Sequence, residues 1–476
     1  MNWPLFILLF LTPLVIGITL VITLDRGDSG HKLGWIVTVA FLPIAGIILY
    51  LIFGIDYRTA DLYKRQHRKF MDLVKSVPED KKALLFGGEP AWDAVREPFR
   101  PMAKLHGHTT QLPPLAGNTY TTITSGQQKF DLLMADILSA RESIHLEYYH
   151  FGVDSGSTLV MEALKQKARE GVKVRFINEN IGNFPHPRKY YDQIQEAGGE
   201  VTRFSRLNPY TFLTRLNFRN HRKIVVIDSK IAYTGGMNLN NNYLYKWRDT
   251  HVRLEGPAVN QLQLIFMDTW ITTGGHLDRP FQDFFPPQEK KADGAVVQIV
   301  PDEPDVPIPI IQYSYEWAFH NAKHSIILQN PYFAPPESVL EALKAASLRG
   351  VDVQMMVPAK VDTALMGPMN RSYYKELLEA GIKLYERSGV FSHSKTMVVD
   401  GYLFCIGTAN IDNRSFNINF EDNTYLFSEE AARESLALFE KEKRELCKQV
   451  SQADVAAWPW YQRFWYYFVR LFALEF

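Results

Sequence analysis

Apolar and polar positions fall into three regimes along the chain. Leu5 to Leu24 and Leu33 to Ile55 are uncharged runs of twenty and twenty-three residues. Each is long enough to cross ~30 Å of hydrocarbon as a helix. No Lys or Arg precedes the first run and no small-x-small cleavage pattern closes it. A second run follows at once, which argues for a retained two-helix hairpin over residues 1–56 and against a cleaved signal peptide. Asp25, Arg26, Asp28 and Lys32 leave the intervening loop without net charge, whereas Arg58, Lys64, Arg65, Arg68 and Lys69 follow the second run. The positive-inside rule therefore places that flank, and the long polar remainder, in the cytoplasm. Pro13 and Pro43 read as kinks within the spans.

Beyond a connector at 57–117, read as amphipathic and loop, short β-branched runs alternate with helical periods. Glu162-Ala163-Leu164-Lys165 leads to Gly171-Val172-Lys173-Val174, and Glu341-Ala342-Leu343-Lys344 leads to Gly350-Val351-Asp352-Val353, an offset of 179 in both. Strand-like runs Ser143 to Tyr149 and Ser325 to Leu328 precede them. Tyr190-Tyr191 through Glu196-Ala197-Gly198 and Tyr373-Tyr374 through Glu379-Ala380-Gly381 follow. Three matches in one order indicate a duplication. The order strand, helix, strand, helix, strand predicts two α/β repeats, 118–282 and 295–450, with mixed or parallel sheets. Pro-rich, charged Pro280 to Gly294 supplies the linker, placed at 283–294. In the last regime Trp458, Tyr461, Trp465, Phe468, Phe472 and Phe476 recur every three or four residues, with Arg463 and Arg470 on another face. A charged run rich in Trp and Tyr predicts an interfacial amphipathic helix over 457–476, not a third span.

Composition narrows the chemistry. Hydrophobic residues are 46% and charged residues 22% of the 476, so the chain folds. Lys+Arg and Asp+Glu are both 52, which argues against a nucleic-acid partner held by bulk positive charge. With only Cys405 and Cys447 there is no disulfide framework and no Cys-rich metal centre.

Each repeat carries the same polar constellation. His221-Arg222-Lys223 is followed by Asp228 and Gly235-Gly236-Met237-Asn238; His393-Ser394-Lys395 is followed by Asp400 and Gly407-Thr408-Ala409-Asn410. The His-to-Lys, His-to-Asp and His-to-Asn separations are 2, 7 and 17 in both. Alternation along a strand puts His and Lys on one face and sends Asp elsewhere. Asp249 and Glu421 each lie 28 residues after a histidine, the kind of fixed partner an orienting hydrogen bond to imidazole requires. A cationic Lys beside each His repels a dication, so no metal and no cofactor is expected.

The doubled His-x-Lys-x4-Asp-x6-Gly-(Gly/Thr)-x-Asn resembles the phospholipase D superfamily over roughly residues 118 to 450. Within it the chain is similar to the bacterial cardiolipin synthases. Leu42 to Tyr50, Ile144 to Tyr149, Asn220 to Ile224, Asn413-Arg414-Ser415-Phe416 and Asn419-Phe420-Glu421 carry that likeness. Gly236 departs from it, standing where Ser or Thr is usual, so one hydroxyl hydrogen bond to phosphate or carboxylate is expected to be missing from the first half.

The resemblance implies one pseudo-twofold catalytic unit in which His221, Lys223 and Asp228 join His393, Lys395 and Asp400. Lys223, Lys395, Asn238 and Asn410 would hold phosphate oxygens. One neutral histidine would form a phosphohistidine while the other acts as acid and then base. Asp249 and Glu421 would orient the imidazoles, and Asp228 and Asp400 would give structural support. The implied substrate is phosphatidylglycerol at an anionic lipid surface in a bacterial cytoplasmic membrane, giving cardiolipin and glycerol. Hydrolysis, or transfer to another alcohol, uses the same motif residues. A membrane scaffold with a relic site is disfavoured by two intact constellations. The extra residues at 201–220, with Arg203, Arg206, Tyr210, Phe212, Leu213 and Arg215, suggest a membrane-facing lip. The motifs leave open the acceptor, the oligomeric state and which histidine is the nucleophile.

Overall fold

The computed structural model describes residues 11–24, 29–54, 64–204, 218–304 and 306–473. Fifteen strands form one sheet across both repeats. From its first-repeat edge the order is Glu200–Phe204, Lys173–Glu179, Ser143–Tyr148, Lys223–Ile227, Ile231–Gly235, His251–Glu255 and Leu115–Ile123. The second repeat mirrors it with Lys383–Arg387, Asp352–Pro358, Ser325–Gln329, Thr396–Val399, Leu403–Gly407, Glu421–Phe427 and Ala295–Asp302, and adds Cys447–Val450 at its rim. Leu115–Ile123 and Ala295–Asp302 pair antiparallel and join the two halves. Within each repeat the three strands outside the motif strands are parallel and the motif strands antiparallel, the mixed arrangement expected, and Cys447–Val450 at the second rim pairs antiparallel.

Helices cover both faces, so the motif strands are buried on both sides, as their unbroken β-branched runs require. All five residues of Lys223–Ile227 and all four of Thr396–Val399 are buried. The repeated Glu-Ala-Leu-Lys segments lie on the helices Ser155–Arg169 and Glu337–Leu348. Between the repeats a shared core joins Ile224, Val226 and Phe266 to Ile299, Phe404 and Leu426.

The connector is more than a tether. Phe70, Val74 and Val77, on or just after helix Lys64–Ser76, enter the shared core, and Phe99, Met102 and Ala103 enter the second repeat's core. The first strand begins at Leu115, ahead of the boundary expected at 118. The Pro-rich linker is likewise pinned, by buried Phe281, Phe284 and Phe285.

At the N-terminus, helices Thr12–Leu24 and Ser29–Phe41 pack through Ile22, Val39 and Tyr50. The second apolar run is interrupted. Leu42 leaves helical geometry (φ −128°, ψ 69°), and a new helix, Pro43–Leu49, starts at the proline. Proline lacks the N–H and disfavours a helical residue before it, which accounts for the break. Among the described residues no helix is long and apolar enough to cross a membrane, unlike the two continuous spans expected. Residues 5–10 of the first run, Ile55 of the second and Phe476 of the C-terminal stripe lie outside the described residues, as do 205–217, most of the expected lip. Arg203 of that segment pairs with Asp192.

Candidate active site

Each histidine is positioned by the opposite repeat. The His221 N–H donates to the Phe420 carbonyl at 2.9 Å and the His393 N–H to the Arg248 carbonyl at 2.7 Å. Asn220 bridges Phe420, and Phe391–Ser392 pairs parallel with Trp247–Arg248. These short exchanges set each histidine beside the residue that precedes the other repeat's carboxylate. His221 Nδ1 accordingly lies 2.9 and 3.0 Å from the two Glu421 oxygens, and His393 Nδ1 lies 2.8 Å from Asp249 Oδ2. The 28-residue spacing thus marks the right carboxylates but the wrong partners, because each serves the histidine of the other half.

The two histidines share one cavity of about 1010 Å³, with Asn238 and Asn410 also on its wall. Lys223 and Lys395 follow two residues later and point the same way, each donating to its own histidine's carbonyl. The residue between them points elsewhere. Arg222 Nε reaches the Glu421 carbonyl at 3.1 Å, and Ser394 meets Thr250 at 3.0 Å. Asn238 accepts from the His150 N–H at 3.2 Å and donates to Tyr243 Oη at 3.1 Å. Asn410 Oδ1 is buried with no hydrogen-bond partner among the described residues, and its residue lines the cavity.

Burial dominates the electrostatics. It pushes His221 down, opposed chiefly by Glu421. It pushes His393 down to about 3, reinforced by Lys395 and opposed by Asp249. An adjacent carboxylate alone would raise a histidine, but here desolvation outweighs it. Burial also lowers Lys223 to about 7 and Lys395 to about 8. Burial raises Glu421 and Asp249, yet neighbouring cations outweigh it. His221 and Lys223 hold Glu421 at about 2, and Lys395 and His393 hold Asp249 below its ordinary value.

Asp228 and Asp400 lie away from this chemistry. Both have positive φ, 50° and 52°. Asp228 accepts from the N–H groups of Arg141, Glu142 and Ser143 at 2.7–2.9 Å; Asp400 accepts from those of Lys323, His324 and Ser325 at 2.7–3.0 Å. Their carboxylates fasten the turn after the motif strand to the start of its neighbour. They support the site and touch none of the catalytic groups, which removes them from the catalytic set in which the motif alone includes them.

The Gly236 departure also has a geometric cause. A Cβ there would lie 2.3 Å from Asp249 Oδ1. In the second half the Thr408 hydroxyl accepts from the Asp422 N–H at 2.9 Å and donates to the Asp422 carbonyl at 3.2 Å, beside Glu421. The shorter carboxylate sits where the hydroxyl would be.

Several wall residues escape motif reasoning. Tyr149 packs edge-on to His221 at 4.9 Å and Tyr243 Oη lies 3.1 Å from His393 Nδ1. Trp247 and Tyr332 flank His393, while Arg219 and Arg414 add positive charge to the wall. Tyr149 and Arg414 stand within the segments that carry the family likeness, which was their only signal. The aromatics at 243, 247 and 332 read as core in a chain that is 13% aromatic.

Comparison with known proteins agrees with this geometry. The family model described as "Cardiolipin synthase, PLD-like domain" matches residues 133–270 and 317–443, and that for the "Phospholipase_D-nuclease N-terminal" segment matches 13–54. A cardiolipin synthase of Geobacillus kaustophilus is 38% identical over 426 residues, covering 87% of this chain and 82% of that protein. The major cardiolipin synthase ClsA of Bacillus subtilis is 36% identical over 449 residues, covering 91% of each. A phosphatidylserine synthase structure from Haemophilus influenzae shares the fold, with a TM-score of 0.58 at 14% identity, over 79% of this chain and all of that one. Two phospholipase D-like repeats closed around one histidine pair define the class of the molecule. Within that class the chain belongs to the cardiolipin synthase family, whose enzymes are phosphatidyltransferases.

Proposed function

We propose that this chain condenses two phosphatidylglycerol molecules into cardiolipin and glycerol. The observation that carries the reading is the pair of carboxylate-held imidazoles facing one cavity, each with a lysine beside it. With Nδ1 engaged by a carboxylate, Nε2 of one neutral imidazole is free to attack phosphorus. The P–N bond forms as the P–O bond to glycerol breaks, and the second histidine, protonated, gives its proton to the leaving oxygen. The terminal hydroxyl of the second lipid then gives its proton to that histidine and attacks phosphorus, forming a P–O bond as the P–N bond breaks and the first histidine leaves. One diester replaces another of similar energy, so no nucleotide is consumed. Lys223, Lys395, Asn238 and Asn410 hold the phosphate oxygens, and the anion in turn favours the charged form of both lysines.

The peripheral elements fit a lipid surface in a bacterial cytoplasmic membrane. Helix Trp460–Arg470 turns Val469 inward, pairs Arg470 with Glu376 and sets that guanidinium 4.0 Å over Tyr373. Trp460 (73% exposed), Phe464 (65%) and Leu471 (76%) face outward. A helix that docks by its cation and displays its aromatics suits the headgroup boundary. The apolar N-terminal helices act as the anchor, with the catalytic repeats on the cytoplasmic side.

The test is to give the purified protein phosphatidylglycerol alone and identify the lipids and free glycerol formed. Cardiolipin and glycerol should appear in equal amounts. Phosphatidic acid as the main product would replace this reading with a hydrolase.

A further inference from the structure

A second cavity, of about 260 Å³, lies between the juxtamembrane helix and the catalytic body, with Phe70, Met71 and Val74 on its wall. It is also lined by His67, Asp268 and Glu303. His67 comes from helix Lys64–Ser76, Asp268 from helix Ala258–Thr272 of the first repeat, and Glu303 from just beyond strand Ala295–Asp302 of the second. Their ligand atoms all lie within 4.8 Å of one another, and His67 Nδ1 is 3.2 Å from Asp268 Oδ2.

One buried atom points to a cation at this cluster. Asp268 is only 8% exposed, and its Oδ1 is buried with no hydrogen-bond partner among the described residues. Leaving such an oxygen without a donor is costly. Arg222, which lies 2.8 Å from Glu303, also answers to buried Glu147 and Asp422.

We propose that His67, Asp268 and Glu303 bind one divalent transition ion of the Mn²⁺ or Zn²⁺ class, which fastens the juxtamembrane helix to both repeats. One imidazole nitrogen and two carboxylate oxygens form a borderline donor set that favours these ions over Mg²⁺. Ligand atoms around such an ion sit roughly 3–4 Å apart, given bonds of about 2.1 Å, so small side-chain rotations complete the site. The cavity has room for the waters that fill the remaining positions. The ion stands outside the phosphoryl chemistry. Its reach to the active site runs through Arg222, between His221 and Lys223 in the chain.

The test uses the full chain in detergent, stripped with chelator and then titrated with MnCl₂, ZnCl₂ or MgCl₂. Bound ion is counted per chain, and hydrogen exchange is followed over residues 64–76. One Mn²⁺ or Zn²⁺ should bind, raise the melting temperature and slow exchange in that helix. Asp268→Asn and His67→Gln should each weaken binding by about 10–100-fold or more and remove the protection. His67 is half-exposed on its helix, so its variant keeps the test valid should Asp268→Asn fold poorly. Absence of stoichiometric binding, unchanged binding in the His67 variant, or equal protection by Mg²⁺ alone would each overturn the proposal.

Discussion

The two halves of the active site use the same parts with different fittings. His221 rests on Glu421, a carboxylate that meets it with both oxygens and is itself held by Asn419, with Thr408 fastening the backbone of the next residue. His393 rests on Asp249, one methylene shorter, which presents one oxygen and occupies the space left by Gly236. Burial and nearby lysines lower both histidines and a carboxylate opposes them, but after burial the strongest influence is Glu421 at His221 and Lys395 at His393. The difference teaches that a duplicated site need not stay symmetric. A reaction that requires one neutral and one protonated imidazole at the same moment gains from halves of unequal proton affinity. Because the histidines also feel each other, their titration belongs to the pair.

The largest effect expected is from the histidines themselves. His221→Ala and His393→Ala should each lower turnover by about 10⁴-fold or more, and the double variant should be no worse than either. Steady-state assays on folded, lipid-inserted protein check this. Near-normal activity in either single variant would break the two-histidine scheme.

Next come the carboxylates. Glu421→Gln and Asp249→Asn should each cost about 10²–10⁴-fold, the range of an acid–base contribution. Removing a negative charge destabilises the neighbouring imidazolium, so the affected limb of the pH–rate profile moves to lower pH. Because the pairing is crossed, each substitution should act on the histidine of the opposite repeat. Both variants shifting the same limb would contradict the unequal halves.

Exchanging the fittings sharpens the comparison further. Gly236→Thr drives a methyl or hydroxyl into Asp249 and should cost about 10²-fold, as displacements near 1 Å in catalytic groups do. Thr408→Ala removes its hydrogen bonding to the Asp422 backbone, worth about 1 kcal/mol, or roughly fivefold in rate. Equal losses at the two positions would mean that the glycine is incidental.

The smallest effect concerns pH. In the lipid-free site Lys223 falls to about 7 and Lys395 to about 8, so both lose charge as pH rises past those values. A neutral amine attracts phosphate less, and kcat/KM should decline between pH 7 and 9. Bound phosphodiester holds the protons on, so kcat should fall less over the same range. Parallel decline of both constants would place the loss in the chemical step.

Much of this was legible in the residues, and the limits have physical causes. Two sets of offsets, 179 for the outer helices and 172 between His221 and His393, expose the duplication. Alternation correctly separates His and Lys from Asp, and three backbone N–H groups account for where each aspartate goes. The crossed carboxylates could not be read, because Glu421 lies 28 residues after His393 whichever histidine it serves. That pairing depends on how two repeats dock, which no local spacing encodes. The break at Leu42 lies in Pro43, whose missing N–H counts for more than the length of the apolar run. Tyr243 and Trp247 were hidden among residues that look like core. The connector's part in the shared core depends on Phe70 and Val74 finding apolar partners some two hundred residues away.

The crossing of partners bears on the order in which the protein is made. Glu421 trails His221 by 200 residues. At about 5–20 residues per second, a ribosome needs roughly 10–40 s to travel that interval. Throughout it the first repeat has a histidine without its carboxylate and a carboxylate without its histidine. A truncated or half-made chain is therefore unarmed, and the histidine pair is complete only when the last motif docks.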